Sequence, residues 1–388
     1  MRIFTIPEGS CVIGVRRGGG SAEALLRRAL PDADVLHVAR YRIGFSDDPR
    51  SRESALGGFE ALKREMVRRL LADGDVAVDG DMLRDDQVNH LRKVAPAAWS
   101  AGLRLDFEED GSGIAFERVP SPTDRRGDPG PFDIVGDPHG CLDELLELLA
   151  SLGYAVSARR AGDGQRRFFV SHPGGRRIAF VGDLSDRGPD SVGCLALAMD
   201  ALESGAAVWT LGNHDWKLMT WLDGGKVTDR HGFTATKEQM SGEPEAFRSR
   251  LSAVLASLPS HLLLDGGALV VAHAGCREEM QGRDSPALTS FCMFGAATGE
   301  MDARGLPVRG DWAKDYSGRA VVVHGHTPLA APAWSPRGNV ICVDTGCAFG
   351  GSLTALRWPE RELVSVPARN RYFEHPDFPA DAAAGPRA

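Results

Sequence analysis

Residues 132–140 read FDIVGDPHG, and this stretch decides the fold of the larger part of the chain. In it, an apolar strand pattern ends in a glycine-containing turn that carries an aspartate and a histidine. The same arrangement recurs at residues 177–188 (RIAFVGDLSDRG) and 207–215 (AVWTLGNHD), and helical patterns lie between them. Three later apolar runs lead in the same way into polar residues: His273, His324-Gly-His326 and Asp344. Because ligands of open α/β sheets gather outside the carboxyl ends of the strands, this pattern predicts an α/β fold with one shared site.

The side chains at these strand ends have the chemistry of a two-metal site. They provide two carboxylates, one amide and three imidazoles: Asp137, His139, Asp183, Asn213, His273 and His326. Oxygen and imidazole donors without a thiolate suit Mn, Fe or Zn. Six donors are too many for one four-coordinate zinc, but they fit two cations about 3.5–4 Å apart that share a carboxylate. A single histidine is ordinarily a core or surface residue, so the prediction depends on the ordered set.

The composition of the 388-residue chain excludes several classes of protein. Its formal charge is −8, from 45 Lys+Arg against 53 Asp+Glu, which is not the basic excess of a nucleic-acid coat protein. No apolar run approaches the roughly 18 residues of a membrane span, and the N-terminal residues do not have a secretion-signal pattern. The seven cysteines form no CxxC pair and fit free thiols in a reducing compartment. We therefore expect a cytoplasmic protein without a membrane partner.

Proline and glycine mark the division of the chain into domains. Residues 119–131 read VPSPTDRRGDPGP, a composition typical of a linker. We predict an N-terminal domain over residues 1–120, a linker over 121–131, a second domain over 132–370 and a flexible tail over 371–388. Residues 223–311 are more polar and irregular, except for residues 251–264 and the strand that leads into His273, and we interpret parts of them as a lobe over the site.

The motifs of the second domain resemble those of the binuclear metallophosphatases. Residues 136–140 match GDxHG, residues 182–188 match GDxxDRG, residues 212–215 match GNH followed by an acid, and residues 325–327 match GHT. This branch includes Ser/Thr phosphoprotein phosphatases and diadenosine tetraphosphate hydrolases. The resemblance implies a two-sheet metallophosphoesterase (calcineurin-like) fold.

Further segments look like the phosphatase module of the bacterial RNA-repair polynucleotide kinase-phosphatase. They are residues 305–309, 312, 315–316, 318–320, 324–328, 344–347, 353–357 and 362–367. This resemblance implies a phosphatase that acts on terminal 2′, 3′ or 2′,3′-cyclic phosphates of RNA or nucleotides in RNA repair. One alternative is a Ser/Thr phosphoprotein phosphatase or diadenosine tetraphosphate hydrolase with the same site residues. Another is an adaptor that recruits an RNA-repair partner, such as an RNA-end methyltransferase or ligase.

The resemblance also implies a role for each site residue. The first metal would be held by Asp137, His139 and Asp183. The second metal would share Asp183 and be held in addition by Asn213, His273 and His326. Arg187 would clamp phosphate oxygens, His214 would protonate the leaving alkoxide, and Asp186 would orient His214. Asp344 would orient a ligand imidazole.

The metals implied are divalent, with Mn²⁺ expected first and Fe, Zn or Ni as alternatives, and water between them would attack phosphorus. Two positions depart from the family pattern. Pro138 replaces the usual aliphatic residue and removes one backbone N–H from the loop. His324 stands where the family often has Tyr. Because His324 and His326 are two residues apart, we expect them on one face of a strand, with His326 as the ligand and His324 as a residue that supports the ligands or is structural.

The N-terminal domain has a weak signature of a phosphate-binding loop. Gly14, Gly19 and Ser21 fit the template GxxxxGK(S/T), but Gly20 replaces the lysine. Residues 76–78 predict a strand that ends beside an aspartate. This arrangement resembles the kinase domain of the same repair family without its lysine and its early aspartate. We predict a degenerate P-loop kinase-like α/β domain without phosphoryl transfer; the alternative is a glycine turn in an unrelated domain.

Overall fold

The computed structural model describes most of the chain beyond residue 120, in the ranges 121–160, 164–301, 307–376 and 378–379. Before residue 120 it describes shorter ranges: 2–7, 11–16, 26–27, 34–37, 59–66, 68–69, 76–79, 83, 87–88, 90–91, 102–107 and 114–119. The chain divides into two compact units, one of residues 1–124 with 282–289 and one of residues 125–281 with 290–388.

The first unit contains a four-stranded parallel sheet. The described strands of this unit are β1 (Arg2–Pro7), β2 (Cys11–Arg16), β3 (Asp34–His37), β4 (Val76–Asp79), β5 (Gly102–Phe107) and β6 (Ile114–Val119). The sheet has the order β3-β4-β2-β5, while β1 and β6 form a separate parallel pair. Ile13 and Val78 of the sheet share a buried core with Leu62 and Met66 of the helical residues 59–66. The described part of this unit is therefore α/β.

The predicted phosphate loop is described only at its first glycine. Gly14 lies on β2, where it pairs with Asp79 of β4. Gly19 and Ser21 lie outside the described residues. The kinase-like interpretation of this domain therefore stays a prediction.

The second unit is built around two five-stranded sheets. Its strands are β7 (Phe132–Val135), β8 (Ala155–Arg160), β9 (Arg166–Ser171), β10 (Arg177–Phe180), β11 (Ala207–Trp209), β12 (His261–Leu264), β13 (Leu269–Ala272), β14 (Ala296–Met301), β15 (Pro307–Gly310), β16 (Val321–His324), β17 (Ala333–Trp334), β18 (Val340–Cys342), β19 (Ser352–Trp358) and β20 (Glu362–Pro367). One sheet has the order β11-β10-β7-β19-β20, and the other has the order β12-β13-β16-β18-β17. Two hairpins, β8-β9 and β14-β15, are separate two-stranded sheets.

The alternation of side chains along the strands explains how the two sheets pack. In β7, Phe132 and Ile134 face a buried cluster that also contains Val271 and Val323 of the other sheet. Val135 points the opposite way, into a cluster with helical residues such as Leu145. Successive residues of a strand face opposite sides, so one apolar strand serves both layers. The two-sheet α/β fold predicted for this domain is confirmed.

In the second unit, helices cover the outer face of the β11-β10-β7-β19-β20 sheet. Further helices lie in the region expected to be irregular. The described helices are α1 (Leu142–Ser151), α2 (Ser191–Glu203), α3 (Asn213–Leu222), α4 (Phe233–Ser241), α5 (Glu245–Ser257), α6 (Pro286–Phe294) and α7 (Trp312–Asp315), with 3-10 turns at Asp265–Gly267 and Glu278–Met280. The prediction that residues 223–311 are irregular outside residues 251–264 and the strand into His273 is wrong for α4 and for the part of α5 before Leu251. Phe247, Leu251 and Leu255 of α5 recur at helical spacing and are buried. None of the described helices is both long and apolar enough to cross a membrane.

Residues on both sides of the predicted second domain make backbone hydrogen bonds within the second unit. Within the predicted linker, residues 125–128 are held on the second unit: the N–H of Arg125 donates to the carbonyl of Leu263 at 2.9 Å, and the N–H of Asp265 donates to the carbonyl of Asp128 at 3.0 Å. Within the predicted tail, the N–H of Tyr372 donates to the carbonyl of Ala348 at 3.0 Å. Apolar burial reaches residue 378, and residues 380–388 lie outside the described range. These contacts lie outside the range 132–370 predicted for the second domain, and the domain bounds stay a prediction.

Candidate metal centre

Loops at one end of the two sheets bring the predicted metal ligands together. The loops follow β7, β10, β11, β13 and β16, and they supply Asp137, His139, Asp183, Asn213, His273 and His326. Four of these residues are almost completely buried, and Asn213 and His326 are half-buried. Each ligand follows a strand that is buried over most or all of its length, so the apolar strands position the site.

Asp183 lies at the centre of this cluster. Its Oδ2 is 3.6 Å from His139 Nε2 and 3.4 Å from His273 Nε2. Two sets of three ligand atoms, each set within 4.8 Å, share Asp183: one includes His139 and His214, the other His273 and His326. This arrangement suits two cation positions that share one carboxylate.

Asp137 has a buried oxygen that the protein does not satisfy. Its Oδ2 accepts the backbone N–H of His326 at 3.0 Å, whereas Oδ1 is buried without a hydrogen-bond partner in the described part of the chain. Burial, together with the negative charges of Asp344 and Asp183, raises the pKa of Asp137 well above its usual range. An unpaired buried carboxylate oxygen is costly, and a cation would satisfy it. The donor set therefore fits a pair of divalent cations.

Backbone carbonyls orient two of the imidazoles. His139 Nδ1 donates to the carbonyl of Ser185 at 2.8 Å, and His273 Nδ1 donates to the carbonyl of Val181 at 3.2 Å. These contacts leave Nε2 of each ring directed at Asp183. Burial lowers the pKa of His273, but the charges of Asp183 and Asp137 outweigh it and raise that pKa to about 9. His273 Nε2 also lies 3.0 Å from Asn213 Oδ1.

Asp344 does not take the position that the resemblance implied. Its Oδ1 accepts the backbone N–H of Gly346 at 3.0 Å, and within the described ranges it makes no hydrogen bond to an imidazole. Burial raises its pKa to about 6. The negative charge of Asp344 contributes to the raised pKa of Asp137. Backbone carbonyls already hold the rings of His139 and His273. We therefore infer that Asp344 acts through its charge on the neighbouring carboxylates.

The three predicted catalytic residues form one hydrogen-bonded group. His214 Nδ1 donates to Asp186 Oδ2 at 2.5 Å, and Arg187 Nη2 lies 2.9 Å from His214 Nε2. Arg187 Nη1 contacts His139 Nε2. Thr236 Oγ1 donates to the other oxygen of Asp186 at 2.6 Å. Thr236 lies on α4, in the region expected to be irregular, and no sequence motif marks it.

Five site residues have a left-handed backbone that only glycine adopts easily. They are His139 (φ 44°), Asp183 (φ 52°), Asp186 (φ 73°), Arg187 (φ 70°) and His326 (φ 71°). Such conformations cost about 1–3 kcal/mol each and persist where surrounding contacts impose them. Their concentration at these loops is independent support for a functional site.

Asp215 fixes the loop that carries Asp183. Its carboxylate accepts the backbone N–H groups of Asp183 (2.9 Å), Leu184 (3.1 Å) and Gly212 (3.1 Å), and the indole N–H of Trp209 (3.2 Å). Burial and the charge of Asp183 raise the pKa of Asp215 to about 7. The acid in the fourth position of the GNHD motif was the only sequence signal for this role.

His324 lies apart from the ligand cluster. Strand β16 ends at His324, and the turn that follows gives His326 a positive φ, so the two rings do not share a strand face. The Nδ1 of His324 donates to the carbonyl of Gly325 at 3.0 Å, and its ring centroid lies 5.5 Å from that of Trp312. Burial lowers the pKa of His324 to about 4. The same-face prediction is wrong because the strand ends at His324, two residues before His326.

A second group of metal-binding residue types lies in the same unit. His261, Cys276 and Cys292 are buried, and their ligand atoms lie within 4.8 Å of one another. Sequence spacing did not predict this group, because its members come from a strand, a loop and a helix that are distant in the chain.

Comparison with known proteins agrees with this geometry. Residues 130–349 match the family model described as calcineurin-like phosphoesterase. The bis(5'-nucleosyl)-tetraphosphatase PrpE (asymmetrical) of Anoxybacillus flavithermus (strain DSM 21510 / WK1) is 39% identical over 254 residues, which cover 64% of this chain and 99% of that protein. The protein of the same name from Bacillus subtilis (strain 168) is 38% identical over 247 residues, which cover 63% of this chain and 97% of that protein.

Proposed function

The chain belongs to the calcineurin-like phosphoesterase family, and from this premise we propose that this metal-dependent phosphoesterase cleaves dinucleoside tetraphosphates into two unequal nucleotides. The observation that carries the proposal is the pair of ligand groups that share the buried Asp183. Relatives named as asymmetrical bis(5'-nucleosyl)-tetraphosphatases, matched over nearly their whole length, support this substrate. They favour it over the RNA-end phosphates expected from the sequence motifs.

Two bound divalent cations would supply Lewis-acid activation of the phosphate and of an attacking water. Asp137, His139 and Asp183 would hold one of them. Asp183 would also hold the other, together with Asn213, His273 and His326. Mn²⁺ is our first choice among the metals that oxygen and imidazole donors without a thiolate suit, with Fe, Zn or Ni as alternatives.

The remaining group of site residues would hold the phosphate chain and move a proton. Arg187 presents planar N–H donors beside His139 and His214, where they can bind two phosphate oxygens. His214 is held through Nδ1 by Asp186, so its Nε2 faces the site beside Arg187 Nη2. When the imidazole also carries a proton on Nε2, as the imidazolium, it would donate that proton to the leaving phosphate oxygen. Thr236 keeps Asp186 in that orientation.

A phosphatase for RNA ends is the second candidate, and the first unit favours it. The family model begins at residue 130, so the parallel sheet of β2 to β5 is additional to the phosphoesterase domain. A degenerate kinase-like domain in this position would be able to bind an RNA end or an RNA-repair protein. Under this candidate the same metal ligands act on terminal or 2′,3′-cyclic phosphates.

A substrate comparison tests the two candidates. Purified full-length protein with added Mn²⁺ is incubated with diadenosine tetraphosphate, with a 2′,3′-cyclic nucleotide and with a phosphopeptide, and products are separated by chromatography. We expect ATP and AMP in equal amounts from the tetraphosphate and the highest kcat/KM on that substrate. Asp183→Ala should be inactive on all three. Preference for the cyclic phosphate would replace our proposal by the second candidate, and full activity of Asp183→Ala would refute the shared-carboxylate assignment.

A further inference from the structure

A cavity of about 580 Å³ lies beside the metal centre in the second unit. Its lining includes four aromatic or imidazole side chains, Phe294, Trp312, His324 and Trp334, and the proposed metal ligand His326. Cavities of about 300–1,000 Å³ with an apolar lining are typical small-molecule sites. The size and the aromatic lining suit a nucleoside.

The cavity is continuous with the ligand loops. Ala274, which directly follows His273, is in its lining, and the carbonyl of Ala274 accepts the indole N–H of Trp312 at 3.1 Å. A Cβ added at Gly275 would lie 2.2 Å from the Trp312 ring, so the ring packs directly on this loop. A molecule in the cavity would therefore lie next to phosphates held by the metal centre.

The chemistry of the lining favours a flat uncharged ring over a phosphate. The charged lining residues Asp311 and Lys314 have opposite signs, so they do not make the cavity selective for an anion. Trp334, at the edge strand β17, is half-buried, and Phe294 is 43% exposed. Nucleobases stack on such aromatic rings, and stacking tolerates different bases.

A second exposed aromatic ring extends this surface toward the ligands. Trp216 is 41% exposed, and its ring lies 6.3 Å from that of Phe294 in an edge-to-face arrangement. Trp216 is on α3, which begins at the proposed ligand Asn213. Large aromatic side chains that remain exposed and in mutual contact beside a buried polar site indicate a binding surface.

We propose that this cavity binds the base of a nucleoside in the substrate, with Trp334 and Phe294 as the stacking residues. The proposal rests on the proposed function for the position of the phosphates, and it adds which residues bind the base. A phosphoserine or phosphothreonine side chain would leave these rings without a flat partner.

The test separates base binding from hydrolysis. The affinity for adenosine, which has no phosphate, is measured by calorimetry for the full-length protein and for Trp334→Ala, Phe294→Ala and Trp334→Phe. Phe169→Ala is the matched control, because Phe169 is 56% exposed on β9 and is not in the cavity lining. Thermal unfolding verifies that each variant is folded. We expect the dissociation constant to rise about 5- to 150-fold in the two cavity alanine variants. We expect little change in Trp334→Phe and in the control.

Kinetics with two substrates complete the test. The KM for diadenosine tetraphosphate should rise in Trp334→Ala and Phe294→Ala, whereas kcat/KM for inorganic tripolyphosphate, which has no base, should stay within about twofold. Adenosine binding that is absent, or unaffected by both alanine substitutions, would overturn the proposal. Trp334-dependent adenosine binding in a protein that does not cleave the tetraphosphate would support the cavity and refute only the proposed substrate.

Discussion

Gly325→Ala is the sharpest perturbation of the metal centre, because it removes no ligand and no charge. A Cβ built at Gly325 lies 1.8 Å from Asp137 Oδ1 and 2.9 Å from Val181 Cγ2. Real Cβ contacts do not fall below 3.0 Å, so the two atoms must separate by at least 1.2 Å (3.0 − 1.8). Asp137 is also held through Oδ2 by the N–H of His326, so its carboxylate cannot move without breaking that bond.

A displacement of this size is much larger than a metal site tolerates. Ligand distances in metal sites vary by about ±0.2 Å, and a misplacement of about 1 Å reduces catalysis about 100-fold. We therefore expect kcat/KM in Gly325→Ala to fall about 100-fold or more, with weaker metal binding. The assay measures hydrolysis at several Mn²⁺ concentrations, and calorimetry measures metal affinity.

Gly127→Ala is the control, since a Cβ there has no atom within 4 Å and Gly127 does not have a positive φ. Gly325 does not have a positive φ either, so backbone strain does not confuse the comparison. Thermal unfolding should show that both variants are folded. Metal affinity and activity of Gly325→Ala equal to those of Gly127→Ala would show that Asp137 is not a ligand.

Three other substitutions or titrations probe the remaining groups. Asp186→Asn weakens the acceptor of the His214 Nδ1–H, so kcat should fall about 10- to 100-fold and the pH profile of kcat should shift; an unchanged profile would remove His214 from proton transfer. Asp215→Asn leaves at least one of four buried N–H donors without an acceptor, so the free energy of unfolding in urea should fall by about 1–3 kcal/mol, and unchanged stability would contradict this bonding pattern. His273, with a pKa of about 9 in the metal-free protein, is protonated at pH 7 and must lose that proton to bind a cation. Metal affinity should therefore rise about tenfold per pH unit up to about pH 9 in calorimetric titrations, and a flat dependence would argue against His273 as a ligand.

The convergence of the candidate metal ligands could be predicted from the sequence because each of them follows an apolar strand. Asp137, Asp183 and His273 needed only the rule that strand ends converge. The position of His326 was predicted, but its face was not, because the chain turns immediately after His324.

Residues that act through tertiary contacts were not predictable from motifs. Thr236 reaches Asp186 from a helix 50 positions away, and nothing in its local sequence distinguishes it from an exposed threonine. The cavity is formed by Phe294, Trp312 and Trp334 from separate elements. For Asp344, the resemblance implied an imidazole partner, but its carboxylate accepts the backbone N–H of Gly346, two residues later in the chain. Short-range competition of this kind is common for aspartate.

Because the candidate ligands are divided between the two sheets, loss of bound cations should destabilise the ends of the sheets before their interior. Asp137 and Asp183 extend from strands of one sheet, and His273 and His326 extend from strands of the other. Cations shared among them would bridge the two layers at their rim, as a disulfide joins two chain segments. Removal of the cations with a chelator should therefore accelerate amide hydrogen exchange first in the loops that carry the candidate ligands. The apolar interior around Ile134 and Val323 should stay protected.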